Sequence, residues 1–277
     1  MGTTTYYSNR PAAAGPSLDP LVLAHQRRVE QAGGQHLDVP FLSELVALLR
    51  QWNLTDKIMH LSDVRLGCLV DEVGQVSRLF CLGGHDALAA GATSLPQWVP
   101  EGLNGKPCIQ FAQTGFVVDD FDFSQSDSYT LVTLLRQLGA DGTGAMMVCQ
   151  PTNTDIFLIM PNYGYMRCRH IVYYTGQDLV VNEGTNYDGG WLTMAARYNL
   201  ARLEGQFVGN FYGFRFQETR QMGYAFNNAR GSRLGPAPLY IGSTDDGGFV
   251  GGYLLRDFDD EVGMNRLRDF IQADYLG

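Results

Sequence analysis

The run Pro238-Leu239-Tyr240-Ile241-Gly242-Ser243-Thr244-Asp245-Asp246-Gly247-Gly248-Phe249-Val250-Gly251-Gly252-Tyr253-Leu254-Leu255-Arg256-Asp257-Phe258 decides the fold class. A strand ending in Ile241-Gly242 meets a polar Asp/Gly turn, then an aromatic-flanked glycine pair and a second apolar strand. That order predicts a late β-hairpin. Asp259-Asp260-Glu261 follows, and then Met264, Leu267, Phe270, Ile271 and Tyr275 recur at helical spacing. This predicts a closing helix with one apolar face, started by acidic residues that suit a helix N-terminus.

Working upstream, the spacing predicts strands at Cys108–Ala112, Phe116–Asp119, Tyr129–Leu135, Ala145–Gln150, Ile156–Met160, Arg167–Tyr174, Trp191–Tyr198 and Gln206–Phe216. Such short strands, separated by Gly, Asn, Asp and Pro, indicate a mainly β chain built as an antiparallel sandwich. In the strand around Leu131, Leu131, Thr133 and Leu135 alternate with Val132 and Leu134, so both faces are apolar. Such a strand needs cover on both sides, from the opposite sheet and from helices. Leu131, Leu134, Ile156, Leu158, Ile171, Trp191, Met194, Phe207 and Ile241 are the expected core.

The N-terminal third differs. Residues 1–36 carry Pro11, Pro16 and Pro20 and few charges, with a short helix expected from Leu21 to Gln31 before Gly33-Gly34. This segment reads either as a solvating tail or as an extended docking arm anchored by Tyr6, Tyr7, Leu18 and Leu21. Residues 37–105 form a second unit. Asp38 and Pro40 open a helix with Phe41, Leu45, Leu48, Leu49 and Trp52 on one face. Leu54, Ile58, Met59 and Leu61 then predict a second helix, giving a helical hairpin that packs on its own sandwich or else on a partner. Short strands and loops fill the rest, and the sandwich itself is placed at 106–277.

The late Ile-Gly/Asp-Gly/Gly-Gly segment resembles the C-terminal signature of laminin-G-like domains in the concanavalin A-like superfamily. Trp191-Leu192-Thr193-Met194-Ala195-Ala196-Arg197-Tyr198 is similar to the strand in which a Trp opens an alternating run ending in Tyr. Ala92-Thr93-Ser94-Leu95-Pro96-Gln97-Trp98, set between a helical segment and the sandwich, resembles a connector in structural proteins of tailed bacteriophages. The resemblance implies a concanavalin A-like jelly roll with an N-terminal arm. It further implies a non-enzymatic role in the virion (capsid decoration, tail or baseplate), other virion proteins as partners, and a homotrimer.

Composition narrows the function classes. Charged residues are 18% of the chain, against ~25% in an average soluble protein, and the net charge is −9. An acidic chain without a basic run is a poor match for nucleic acid. The longest apolar runs, such as Ile156 to Met160, are far short of the ~20 residues that cross a bilayer. The first residues have neither a basic start nor an apolar core, so no secretory signal is expected. Cys68, Cys81, Cys108, Cys149 and Cys168 are odd in number and lack paired spacing, which fits buried thiols and folding in a reducing cytoplasm, the host's if the phage resemblance holds.

The chemistry-bearing groups are sparse. No Glu-x-Asp-x-x-Glu strand pattern of a glycoside hydrolase and no Gly-x-Ser-x-Gly elbow occurs. The nearest acidic cluster, Asp257 to Glu261, reads as a helix cap rather than a catalytic pair. No catalytic residue or cofactor is assigned. Calcium is an option only if turn residues Asp119, Asp120, Asp122, Asp127, Asp245 and Asp246 converge, and they read better as solvated turns. His25, His36, His60, His85 and His170 are isolated in sequence. The aromatics Tyr163, Tyr165, Tyr187, Tyr212 and Tyr224 offer either a groove for a host-surface glycan or an ordinary interface.

Overall fold

The computed structural model describes residues 18–90, 94–119, 121–122, 126, 128–137, 147–152, 155–162, 165–171, 177–182, 191–199, 204–212, 219–226, 238–242 and 246–276. The chain opens with α1 (Pro20–Gln31), β1 (Gln35–Leu37), α2 (Val39–Gln51), β2 (Ile58–Asp63), β3 (Leu66–Val70), β4 (Val76–Leu79), β5 (Ala87–Ala90) and β6 (Gln97–Leu103). Next come β7 (Lys106–Ala112), β8 (Gly115–Val118), β9 (Ser128–Gln137), β10 (Met147–Thr152), β11 (Asp155–Asn162), β12 (Tyr165–Ile171) and β13 (Gln177–Asn182). The last are β14 (Trp191–Asn199), β15 (Glu204–Tyr212), β16 (Thr219–Phe226), β17 (Leu239–Gly242), β18 (Asp246–Arg256) and α3 (Glu261–Leu276).

Among the described residues the strands form two antiparallel sheets. A ten-stranded sheet runs β1-β3-β4-β5-β8-β17-β10-β11-β12-β13, and an eight-stranded sheet runs β16-β15-β14-β9-β18-β7-β6 with β2 on β18. The mainly β sandwich expected from the sequence is the fold. β1, β3, β4 and β5 join the ten-stranded sheet and β2 the eight-stranded one, each sheet also holding strands after residue 106, and β6 and β7, on either side of position 105, pair with each other.

The expected late hairpin is not one. β17 pairs with β8 and β10 in the ten-stranded sheet, whereas β18 pairs with β7, β9 and β2 in the other. β7 and β8 make the same crossing beside them, with Gly115 opposite Gly242 and Ala112 opposite Asp246. The two segments therefore run side by side at the end of one sheet and again at the start of the other. Backbone meets backbone there: a Cβ on Gly242 would lie 2.5 Å from the Gly115 Cα, and one on Gly115 would lie 2.6 Å from the Ile241 carbonyl oxygen. The Gly115–Gly242 contact at this crossing thus leaves no room for a side chain on either residue.

The helices follow their caps. The Asp19 carboxylate accepts from the Leu21 N–H at 2.8 Å, and the Asp38 carboxylate from the Phe41 N–H at 3.0 Å, each with a proline in the first turn. α2 buries Phe41, Leu42, Leu45, Val46 and Leu49, with Leu48 and Trp52 packed partly against the core. The second helix expected around Leu54 to Leu61 is instead β2. Five of its six residues pair along β18, with Met59 at a register shift, and His60, Leu61, Ser62 and Asp63 on both faces are buried. The spacing 54, 58, 61 satisfied the helical period, but the open edge of β18 supplied backbone partners.

β9 behaves as its two apolar faces require: Leu131, Val132, Thr133, Leu134 and Leu135 are all fully buried. One face meets the interior between the sheets, and α3 packs along β9 and β14. Met264, Leu267, Ile271 and Tyr275 of α3 are buried, with Phe270 partly so. Of the expected core, Leu131, Leu134, Trp191 and Ile241 are buried. Ile156, Leu158, Ile171, Met194 and Phe207 lie on strands, and their side chains fall outside the described residues.

Candidate functional site

The acidic cluster is structural. Asp260 caps α3, its carboxylate accepting from the Val262 N–H at 3.1 Å and the Gly263 N–H at 3.0 Å. Asp259 pairs with Arg197 of β14 at 2.6 Å, and Glu261 lies 3.8 Å from the same guanidinium. Asp257, at φ 49°, accepts from the Ser126 hydroxyl at 2.7 Å. Each carboxylate helps seat α3 on the sheet, as the capping expectation holds.

A buried ion pair that no sequence motif announces sits beneath that helix. Arg65 donates from Nε and a terminal nitrogen to the two Asp63 oxygens at 2.8 and 2.7 Å, and the Tyr253 hydroxyl donates to the same carboxylate at 2.7 Å. The guanidinium lies 3.5 Å from the Phe41 ring centre and 4.8 Å from that of Tyr275. Burial works against the Arg65 charge, but Asp63 more than offsets it and the pKa is raised. Burial, reinforced by Asp63, holds the Tyr253 phenol well above its ordinary range. The cluster joins α2, the β2–β3 bend, β18 and α3. Its charges face one another, shut off from solvent, so it supplies cohesion rather than chemistry.

The expected thiols are buried where they are described. Burial pushes Cys81 and Cys108 up to about 12 and raises Cys68 as well, so none is a thiolate near neutrality. His25 donates from Nε2 to the Leu66 carbonyl at 2.8 Å and has its pKa lowered by burial. His60, fully buried beside Ser62 Oγ at 3.0 Å, is pushed down to about 3 by burial and by His85. Neither is placed to act as a base on a ligand from solvent. His170 lies on β12 opposite Phe157 and Gln177. Among the described residues no three His, Cys, Asp or Glu cluster to hold a metal ion. Asp119 and Asp122 are described, Asp246 lies on β18 with its side chain outside the described set, and Asp120, Asp127 and Asp245 lie outside it altogether.

Trp98 of the connector stacks on His36, ring centres 4.0 Å apart. His36 is on β1 at the edge of one sheet and Trp98 on β6 at the edge of the other, so the pair ties the two edges together. The arm anchors divide. Leu21 packs partly against this chain's own core and Leu18 is exposed, while Tyr6 and Tyr7 lie outside the described residues. Tyr165 is on β12 of the ten-stranded sheet, whereas Tyr212 and Tyr224 are on β15 and β16 of the other. Tyr163 and Tyr187 lie outside the described residues.

The surface feature that stands out is one row across the outer face of the ten-stranded sheet. Register places Arg78, Leu88, Val117, Tyr240, Val148, Leu158, Arg169 and Asp178 side by side on eight successive strands. Their neighbours Leu79, Ala87, Phe116, Val118, Leu239 and Ile241 are buried on the opposite face. Leu88 is 41% and Tyr240 46% exposed, with Val117 half-buried between them. By residue type the register row is apolar in the middle and charged at both ends, the composition of an interface core within a polar rim. Sequence reading placed Tyr240 in the decisive segment without assigning it a surface role, because alternation along one strand does not show what lies on the next.

No family model matches this chain, and no curated protein matches it by sequence. Solved structures do match in fold. The binding domain of botulinum neurotoxin serotype D superposes with a TM-score of 0.53 at 6% identity, over 79% of this chain and 52% of that one. The binding domain of botulinum neurotoxin DC in complex with SialylT gives 0.54 at 10% identity, over 79% and 52%. The binding domain of serotype D/C VPI 5993 gives 0.55 at 9% identity, over 79% and 53%. This chain covers about half the length of each, and at such identities the likeness shows that it shares their β-sandwich fold.

Proposed function

We propose that this chain is a non-enzymatic β-sandwich module that works by protein–protein assembly through the outer face of its ten-stranded sheet. The observation that carries this reading is the Leu88–Val117–Tyr240 row. Two aliphatic residues run side by side into one aromatic, and by register the charged residues come only at the ends of the row. Such a strip suits an apolar protein surface, whereas a sugar needs hydrogen-bonding groups set around a stacking ring. The structural use of Asp257, Asp259, Asp260 and Glu261 agrees with a role without catalysis. The finer assignment, a structural protein of a tailed-phage virion built on a concanavalin A-like sandwich, rests on the connector and the two strand resemblances.

A second reading is recognition of a cell-surface glycan. What favours it is the likeness to neurotoxin binding domains, one of them in complex with SialylT. Hydroxyl-radical footprinting of the chain, alone and in its native assembly, separates the two. Protection of Leu88 and Tyr240 on assembly is expected. Unchanged reactivity there, with specific micromolar binding to one class on a glycan array, would replace the first reading with the second.

A further inference from the structure

We infer that the row is occupied by residues 1–17 of a second copy of this chain, so that copies assemble by exchanging their N-terminal arms. This inference rests on the assembly reading and names its partner. Three observations lead to it.

First, the same outer face is already partly covered, and the cover is the element into which the arm runs. Leu69 pairs with Arg78 and Arg78 with Leu88, so Gly67, two residues before Leu69, shares their face. Val29 of α1 fills the space over Gly67: a Cβ there would lie 2.9 Å from a Val29 methyl. Arg28 lies over the Phe80 ring and pairs with Asp86, the residue before β5. Cover by α1 therefore ends where the bare row begins, at Leu88.

Second, the arm leaves from the wrong end to continue that cover in its own copy. Asp19 caps α1 and is held by Arg50 in the last turn of α2, at 2.8 Å. Arg28, nine residues along the helix and about 13 Å away at 1.5 Å per residue, is the end that reaches Asp86. The arm thus joins α1 at Asp19, the end of the helix away from Asp86 and the start of the row.

Third, length and chemistry match. Five apolar register positions from Leu88 to Leu158 span about 19 Å at ~4.8 Å per strand, the reach of roughly six extended residues. Residues 1–17 can extend to about 55 Å. Arg10 is their one charged side chain, Tyr6 and Tyr7 supply two large rings, and Pro11 and Pro16 favour an extended backbone.

The test uses the full chain, the chain lacking residues 2–17, and Tyr240→Asp, each checked for an unchanged melting temperature. Sedimentation velocity across concentration measures association. Fluorescence anisotropy follows a labelled peptide of residues 1–17 titrated with the truncated chain. The full chain is expected to associate, and truncation and Tyr240→Asp should each weaken association at least tenfold. The peptide should bind the truncated chain, at least tenfold less well once Tyr240→Asp is added or its own Tyr6 and Tyr7 are Ala. Association that survives truncation but not Tyr240→Asp would overturn the arm and leave the assembly face standing. Association indifferent to Tyr240→Asp would overturn the face itself. A monomeric full chain whose isolated arm peptide still binds would place the arm on its own copy and overturn the exchange.

Discussion

The two sheets have unlike outer faces. On the eight-stranded sheet, the outward residues Val132, Leu134, Ala195 and Tyr253 are buried because α3 lies along β9 and β14 and brings Met264, Leu267, Ile271 and Tyr275 onto them. On the ten-stranded sheet, Leu88, Val117 and Tyr240 hold corresponding outward positions and remain partly open. Apolar alternation is similar on both. What differs among the described residues is whether a helix lies over these positions, and that difference separates a stability surface from the surface proposed for binding.

The largest effects should come from beneath the covered face. Asp63→Ala strands the Arg65 guanidinium among Phe41 and Tyr275 and removes the acceptor of Tyr253, so a loss of about 3–5 kcal/mol is expected in urea unfolding. A loss below about 1 kcal/mol would mean that water reaches this cluster. Trp191→Ala, on the same face of β14 as Thr193 and Ala195, should cost about 3–5 kcal/mol, and Leu267→Ala on α3 about 2–5 kcal/mol.

His60 probes the interior rather than either outer face. Its folded pKa lies near 3, below the usual 6.5, so the unfolded chain takes up a proton in that window that the folded chain refuses. Its contribution to stability is present above pH 6.5 and is lost as the pH falls toward 3, at up to ~1.4 kcal/mol per pH unit. Unfolding between pH 7 and 4 should show this slope in wild type and a flatter one in His60→Leu. Equal slopes would mean the ring is hydrated in the fold.

The smallest change in stability belongs to the bare face. Leu88→Ser and Tyr240→Ser should each shift stability by no more than about 0.5 kcal/mol while reducing association. A destabilisation comparable with Leu267→Ala would erase the contrast between the two faces and make the row part of the core.

Much of this was legible along the chain. Asp19, Asp38 and Asp260 announce helix starts because a short side chain ahead of an apolar period has local N–H groups to accept from. The two-faced Leu131–Leu135 strand announces cover on both sides. Less was legible of the candidate site, because its members are brought together by pairing rather than by spacing. Leu88, Val117 and Tyr240 are far apart in sequence and adjacent only in register. The ion pair between Asp63 and Arg65 looks like a surface turn until α3 and β18 close over it.

Local residue chemistry by itself determined the class of elements, the mainly β composition, the caps and the inward faces, since these follow from backbone preference and period within a few residues. Tertiary structure decided the rest. It turned Ile58–Asp63 into a strand by offering the edge of β18, and it sent β17 and β18 into different sheets around the Gly115–Gly242 contact. It also chose which apolar face α3 would cover. Such choices depend on backbone hydrogen bonds and close contacts between segments up to about two hundred residues apart, as in the Lys57 ammonium donating to the Asp257 carbonyl, and no local pattern encodes which distant partner will be met.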